Sequence, residues 1–397
     1  MVPDKERPDA TWTAALRARF PCETEIDRVL TRKLEQRHGP GYEPQSLDAL
    51  LDGVKALLSA EGVRNFRIER PRWLAGGASK LQVAFELSWQ HPERGQETTP
   101  LVLRMEPAAS LVESSRLREF QIIKAMRGIV PVPEALWVDH EAHHLPYPAI
   151  VYGFVAGVTK PRDARSQASG MGTVMAPHWR NTLGPQFVSH LAAIHAAPVA
   201  PGALPAFDLP VPGTQSIARA LNHWERVWEE DADEDVPLMR LACAWLRAHQ
   251  PPCAAPCIVH GDYRVGNFLF TEDDARITAI LDWEMARIGD PHFDLAWAAH
   301  PAYGGLAEDG RTHLVGGFMP EGEFLARWEA ATGRAVDRAV LHYYKVFRSW
   351  LQGVIALGTG WRVARYGRTH QDALVAWIVG IGPRLLADLA VLLEKEA

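Results

Sequence analysis

The chain has 397 residues, 47% of them apolar, and a formal net charge of −6. So much apolar material excludes wholesale disorder, and the acidic balance argues against a nucleic-acid partner, which usually meets a basic face. Met1 to Arg19 is polar and charged, and no apolar run is long enough to span a bilayer, so a cytoplasmic chain without a membrane partner is expected. In chain order, apolar residues at helical spacing predict helices over 11–36 and 46–60, separated by Gly39-Pro40-Gly41. The period then becomes strand-like. Strands are predicted over 66–74 and 81–89, flanking Gly76-Gly77-Ala78-Ser79, and over 101–104. A helix over 110–127 follows, with Leu111, Leu117, Phe120, Ile123 and Met126 on one face, and then strands over 135–138 and 149–155. From 157 to 184 the composition turns to Gly, Ser, Pro and basic residues, the mark of a loop, lid or insertion. Beyond it helices are predicted over 185–197, 216–228, 237–249, 322–332, 337–357 and 370–393. Short strands around 257–259, 267–270 and 277–281 interrupt them.

Cys22, Cys243, Cys253 and Cys257 read as reduced thiols, and no second Cys or His pair completes a zinc site beside Cys253 and Cys257. The chemistry concentrates in Ile258-Val-His-Gly-Asp-Tyr-Arg-Val-Gly-Asn-Phe-Leu-Phe270. His260, Asp262 and Asn267 have the His-x-Asp-x-x-x-x-Asn spacing of a kinase catalytic loop. An Asp beside a hydroxyl orients it and takes its proton; an Asn five residues on, across a tight loop, returns to the metal that bridges the phosphates. One hairpin later comes Leu281-Asp-Trp-Glu284, where Asp282 follows a buried strand as a hard carboxylate suited to Mg²⁺. Upstream, in matching order, lie the Gly76-Gly77 turn, whose backbone N–H groups can cover phosphates, the cation Arg104 in the third strand and the carboxylate Glu119 in the next helix.

On these motifs the chain resembles the aminoglycoside phosphotransferase (APH/choline kinase-like) family, closest to the branch of kinase-like domains associated with acyl-CoA dehydrogenases. The matching text also includes Gly289-Asp-Pro-His-Phe-Asp-Leu295, Leu191-Ala-Ala-Ile-His195 and Pro148-Ala-Ile-Val-Tyr-Gly-Phe-Val-Ala-Gly157, from about Arg67 onward. The resemblance implies an α+β, protein kinase-like two-lobed fold. Residues 1–64 would form an N-terminal helical extension, 65–156 a five-stranded antiparallel N-lobe with one main helix, and 157–397 a mostly helical C-lobe with the catalytic loop. It implies ATP and Mg²⁺ as cofactors and a small-molecule hydroxyl as acceptor, a hydroxyacyl-CoA or another metabolite before an aminoglycoside or macrolide. Asp262 would be the base, Asn267 and Asp282 the Mg²⁺ ligands, and Arg104, held by Glu119, the grip on the phosphates. Gly76, Gly77 and Ser79 would cover those phosphates, and Tyr152, Gly153 and Val155 would line the adenine edge. His260, Asp290 and Asp294 would support the loop. Arg104 stands where such kinases usually carry Lys; its charge is permanent and its fork binds phosphate bidentately.

A nucleotide-binding regulator without transfer is the alternative reading. A protein kinase is disfavoured because no Ala-Pro-Glu segment follows Asp282. His140-Glu-Ala-His-His144 has the zinc-protease pattern, but Pro146 and Pro148 follow at once, so a turn is expected rather than the continuous helix that pattern needs. The run 229–235 reads as a solvated helix end, with attraction of a cationic acceptor as the other reading. Trp224, Trp228 and Trp350 read as packing before stacking platforms. Lys160, Arg162 and Arg165 read as loop surface before a grip on an anionic acceptor.

Overall fold

The computed structural model describes residues 4–39, 42–74, 80–107, 109–162, 170–200, 202–366 and 372–395. Three helices come first: α1 (Ala10–Arg19), α2 (Thr24–Glu35) and α3 (Leu47–Ala60). The single helix expected over 11–36 is divided at Phe20-Pro21, since proline brings no N–H and disfavours a helical residue before it. Strands β1 (Arg67–Trp73), β2 (Leu81–His91) and β3 (Gly95–Met105) follow, then α4 (Arg116–Met126), β4 (Ala135–Asp139) and β5 (Ala149–Gly153). The five strands make one antiparallel sheet in the order β1-β2-β3-β5-β4. β3 begins earlier than its apolar run predicts, because Gln96 to Pro100 keep pairing in register with β2. α4 begins later than predicted: Ser115 caps it, its Oγ accepting from Arg118 N at 3.2 Å.

Alternation along the strands gives the sheet two different faces. Val83, Phe85 and Leu87 of β2 and Leu101, Leu103 and Met105 of β3 meet Leu50, Val54, Leu57 and Leu58 of α3. Val102 of β3 and Ile150 and Tyr152 of β5 point the other way, into the main core. Arg104 lies on that second face, two residues from Val102. α3 is therefore an outer layer on the sheet, fixed by apolar burial.

The rest is mainly helical. It runs α5 (Pro177–Ala196), α6 (Gln215–Asp231), α7 (Pro237–Ala248), β6 (Cys257–Val259), β7 (Phe268–Thr271), β8 (Arg276–Ile280), β9 (Arg287–Gly289) and α8 (His292–Ala298). A small meander, β10 (Gly305–Leu306), β11 (His313–Val315) and β12 (Met319–Pro320), precedes α9 (Glu321–Thr332) and α10 (Arg338–Gly353). α10 widens into π-type turns over Val354–Gly360, and α11 (Trp361–Tyr366), α12 (Asp372–Gly380) and α13 (Gly382–Glu394) finish the chain. The one helix expected over 370–393 is thus two. Among the described residues no helix is long and apolar enough to cross a membrane.

The start of α2 touches the sheet's helix: Ser115 Oγ donates to Glu25, and Arg118 Nη1 pairs with Glu23 at 2.8 Å. Its end enters the helical body. Lys33 Nζ lies 3.0 Å from Glu230 and 2.9 Å from Asp231, and Arg37 Nη2 reaches Asp231 at 2.5 Å. Arg362 and Thr359 complete the shell around Asp231 at 3.1 and 2.6 Å, and Arg226 holds Glu230 at 2.8 Å. The acidic run is corrected in part: Glu230 and Asp231 are fully buried and ion-paired, while Asp233, Glu234 and Asp235 are exposed, as expected of a solvated helix end.

The His140–His144 pattern lies in the β4–β5 turn, where Asp139 accepts from the backbone N–H groups of His143, His144 and Leu145. Trp224 and Trp350 are core residues and Trp228 is half-buried. Arg162 pairs with Glu272 at 3.1 Å, while Arg165 lies outside the described residues.

Candidate active site

The catalytic-loop candidates sit between β6 and β7, in a turn held from behind. His260 N and Gly261 N both donate to the buried Asp294, at 2.7 and 2.9 Å. Asp294 also accepts from His195 Nε2 at 3.1 Å, while His195 Nδ1 accepts from Trp328 Nε1 at 3.0 Å. With Nδ1 accepting, Nε2–H is the donor to Asp294. His260 is oriented the same way: Nδ1 accepts from Asp262 N at 3.1 Å, so Nε2–H donates to Leu281 O at 2.9 Å. One imidazole thereby joins the loop to the strand end that carries Asp282. Gly261 has φ 88°, and a Cβ there would stand 2.4 Å from Met285 O, so only glycine fits. Asp290 braces α8 instead of the loop, accepting from His292 N at 2.9 Å and His292 Nδ1 at 2.6 Å.

Asp262 is held by three side chains. Oδ1 accepts from Trp297 Nε1 at 2.6 Å and Arg264 Nε at 3.0 Å, and Oδ2 from Asn267 Nδ2 at 2.5 Å. Burial raises its pKa above the ordinary value, Arg264 opposes the rise and Asp282 adds to it. Asn267 Nδ2 also donates to Asp262 O at 2.9 Å, which spends the amide's N–H side on the loop and leaves Oδ1 as an outward oxygen.

Asp282 has φ 61° and ψ 50°, a left-handed turn directly after β8 that aspartate tolerates better than most residues. Its carboxylate accepts from Arg104 Nη1, and Arg104 Nη2 bonds Glu284 at 2.9 Å. Glu119 is the more distant partner of Arg104, at 3.6 Å, and is held chiefly by Arg116. Around this pair lies a cluster that the motifs did not reveal. Lys80 Nζ bonds Glu106 at 2.7 Å and Ser110 Oγ at 2.9 Å and lies 3.4 Å from Glu284. Arg116 lies 3.1 Å from Glu106 and 3.4 Å from Glu284. Burial pushes the Glu284 carboxyl up, but Lys80, Arg104 and Arg116 outweigh it and hold the pKa at about 2.

Gly76, Gly77 and Ser79 lie outside the described residues; Lys80, the next residue, is 2% exposed at the start of β2. Tyr152 and Gly153 end β5, Phe154 N donates to Pro100 O at 2.8 Å, and Val155 follows, half-buried, where the chain leaves the sheet. The structure therefore brings Asp262, Asn267, Asp282, Arg104 and Glu119 together. The residues missed were Lys80, Arg116, Glu284 and Trp297. Arg116 stands three residues before Glu119 and Glu284 two after Asp282, spacings that put each near its neighbour's partner. Trp297 carries no local signal.

Residues 74–343 match the model of the phosphotransferase enzyme family. Mouse acyl-CoA dehydrogenase family member 10 is 28% identical over 208 residues, 51% of this chain and 18% of that protein. Human acyl-CoA dehydrogenase family member 11 is 27% identical over 259 residues, 64% of this chain and 30% of that protein. The matched part is under a third of either relative's length. A candidate aminoglycoside phosphotransferase from Ralstonia eutropha superposes with a TM-score of 0.62 at 23% identity, over 87% of this chain and 98% of its own. Macrolide 2′-phosphotransferase type I superposes with a TM-score of 0.51 at 18% identity, over 84% and 97%. The fold is this shared kinase-like one.

Proposed function

Because the chain belongs to the phosphotransferase enzyme family, we propose that it moves the γ-phosphoryl group of ATP, with Mg²⁺, to a hydroxyl of a small molecule. The observation that carries this reading is Asp262, a carboxylate aimed by three side-chain donors beside Asn267 and Asp282. Asp262 accepts the acceptor's hydroxyl proton and orients its oxygen for in-line attack. Asn267 Oδ1 and the Asp282 carboxylate, 35% exposed, are hard oxygens and fit Mg²⁺. When bound, the metal neutralises charge on the transferring phosphoryl group. Arg104 contacts the phosphates, with Glu284 and, farther off, Glu119 paired to its guanidinium. The backbone from Tyr152 to Val155 takes the adenine edge, and Gly76, Gly77 and Ser79 cover the phosphates. The acceptor is a hydroxyacyl-CoA or another hydroxylated metabolite, in keeping with relatives named as acyl-CoA dehydrogenases.

Mg-ATP-dependent ADP release over a panel of hydroxylated acceptors tests the proposal. One acceptor class is expected to release ADP with matching phosphoester formation. Mg-ATP binding with no release from any class would favour the nucleotide-binding regulator instead. Asp282→Ala should weaken Mg-ATP tenfold or more while metal-free nucleotide binding changes little, because only the metal-dependent part of binding passes through that carboxylate. Calorimetry with and without Mg²⁺ reads the difference, and unchanged Mg-ATP affinity would remove Asp282 from the metal site. Trp297→Phe keeps the ring and deletes one donor to Asp262. A kcat about tenfold lower with little change in acceptor KM is expected, the size of one charge-assisted hydrogen bond. A change confined to KM would make Trp297 an acceptor contact.

A further inference from the structure

Among the described residues, seven arginines are buried, and six of them have a carboxylate within ion-pair distance: Arg37, Arg104, Arg116, Arg118, Arg226 and Arg362. The seventh is Arg348 of α10, 4% exposed. Its hydrogen bond is from Nη1 to Ala296 O at 2.8 Å, and its Nε is buried with no acceptor. Arg287, which also lacks a carboxylate partner, rests on the ring of Phe293 at 3.7 Å. Arg348 has no aromatic face either. An unpaired buried guanidinium is costly, and chains keep such a group where something else completes it.

Its position says what completes it. Ala296 immediately precedes Trp297, the donor to Asp262. One helical turn after Arg348, Gln352 Nε2 donates to Tyr303 Oη at 3.1 Å. The Tyr303 ring lies 6.2 Å from that of Trp297, and the Arg264 guanidinium sits 5.1 Å over it. Arg264 in turn donates to Asp262. Arg348 is thus bonded to the residue next to Trp297, one of the groups that aim the proposed base. From the proposed transfer reaction, on which this step rests, we infer that Arg348 is a specificity-determining residue that receives an anionic oxygen group of the acceptor. The acceptor is therefore a hydroxylated molecule bearing a carboxylate or a phosphate. Burial draws the Arg348 pKa down to about 10 against the opposing pull of Tyr303, Asp388 and Glu321, none of which reaches ion-pair distance, so it remains a cation at neutral pH.

Arginine Nε–H resonances of the full chain, with Arg348 assigned by its loss in Arg348→Lys, give a readout independent of turnover. The probes are 3-hydroxybutyrate, its neutral methyl ester, inorganic phosphate and 3-hydroxybutyryl-CoA. A saturable shift of the Arg348 signal with 3-hydroxybutyrate alone supports a carboxylate. A shift with phosphate and the CoA ester supports a phosphate. No shift with any anion up to about 50 mM, well above a millimolar site, or an equal shift with the methyl ester, overturns the inference. In turnover, an accepted anionic substrate should lose about ten- to a hundredfold in its kcat/KM preference over its neutral ester in Arg348→Gln, with partial recovery in Arg348→Lys. A preference unaltered by Arg348→Gln also overturns it and leaves phosphoryl transfer standing. A saturable anion shift in a protein that releases ADP with no acceptor does the reverse: the anion site stands and the transfer proposal fails.

Discussion

Asp262→Ala is expected to lower phosphoryl transfer by about 10²–10⁴-fold, the usual range for loss of a positioned general base. The protein should still fold and still bind Mg-ATP. Removing the carboxylate leaves the N–H groups of Trp297, Arg264 and Asn267 without their acceptor. The Asp262 side chain is 18% exposed, so water can enter and the cost to stability stays near one hydrogen bond, about 1–2 kcal/mol. The effect should fall on kcat, because the hydroxyl is aimed and deprotonated only during transfer. Retention of more than about a tenth of wild-type turnover, an order above the expected residue, would mean that another group takes the proton.

The second large effect is on stability. Asp231→Ala is expected to cost about 3–5 kcal/mol, because Lys33, Arg37 and Arg362 stay buried with their shared anion gone. Glu230 still faces Lys33 and Arg226, which sets the lower end of the range. Adding Arg362→Leu should make the loss less than additive, since one fewer unpaired cation remains. Burial alone would raise the Asp231 pKa, but Lys33, Arg362 and Arg37, with Thr359, hold it far below the ordinary carboxylate range. A folded-state pKa that is depressed gives stability above the unfolded value and loses it as pH falls towards the folded one. The gap between wild type and Asp231→Ala should thus be flat at neutral pH and begin to close below about pH 4. Urea unfolding over that range measures it. A neutral-pH difference under about 1 kcal/mol would make the cluster no stronger than a surface ion pair.

The sheet and the geometry of the His260–Asn267 turn were legible in the sequence because their signals are local. A period-two apolar run marks β2 and a short continuous one β5, and Asp262, Asn267 and Asp282 sit at fixed offsets along one turn and one hairpin. What escaped depends on separation. Nothing near Lys80 announces that it bonds Glu106 and Ser110, some 26 and 30 residues on. Trp297 looked like any of the other tryptophans until α8 carried it to Asp262. At Glu230 and Asp231 the run 229–235 misled for the opposite reason. Its local pattern is that of a solvated end, but the cations that bury Glu230 and Asp231 come from α2 and α11. The Gly76-Gly77 turn, read from its flanking strands, lies outside the described residues.

The double attachment of α2 has a mechanical consequence. Residues 153–157 join sheet and helical body covalently, and α2, gripping Glu230 and Asp231 at one end and α4 at the other, is a second tie beside the core shared at Val102, Ile150 and Tyr152. A plate held at one point can pitch, roll and yaw. Each further tie removes some of that freedom. Any rotation of the sheet against the helical body is then more restricted than a single joint would make it. Cutting either salt-bridged end of α2 would restore the lost freedoms without touching a residue of the catalytic loop.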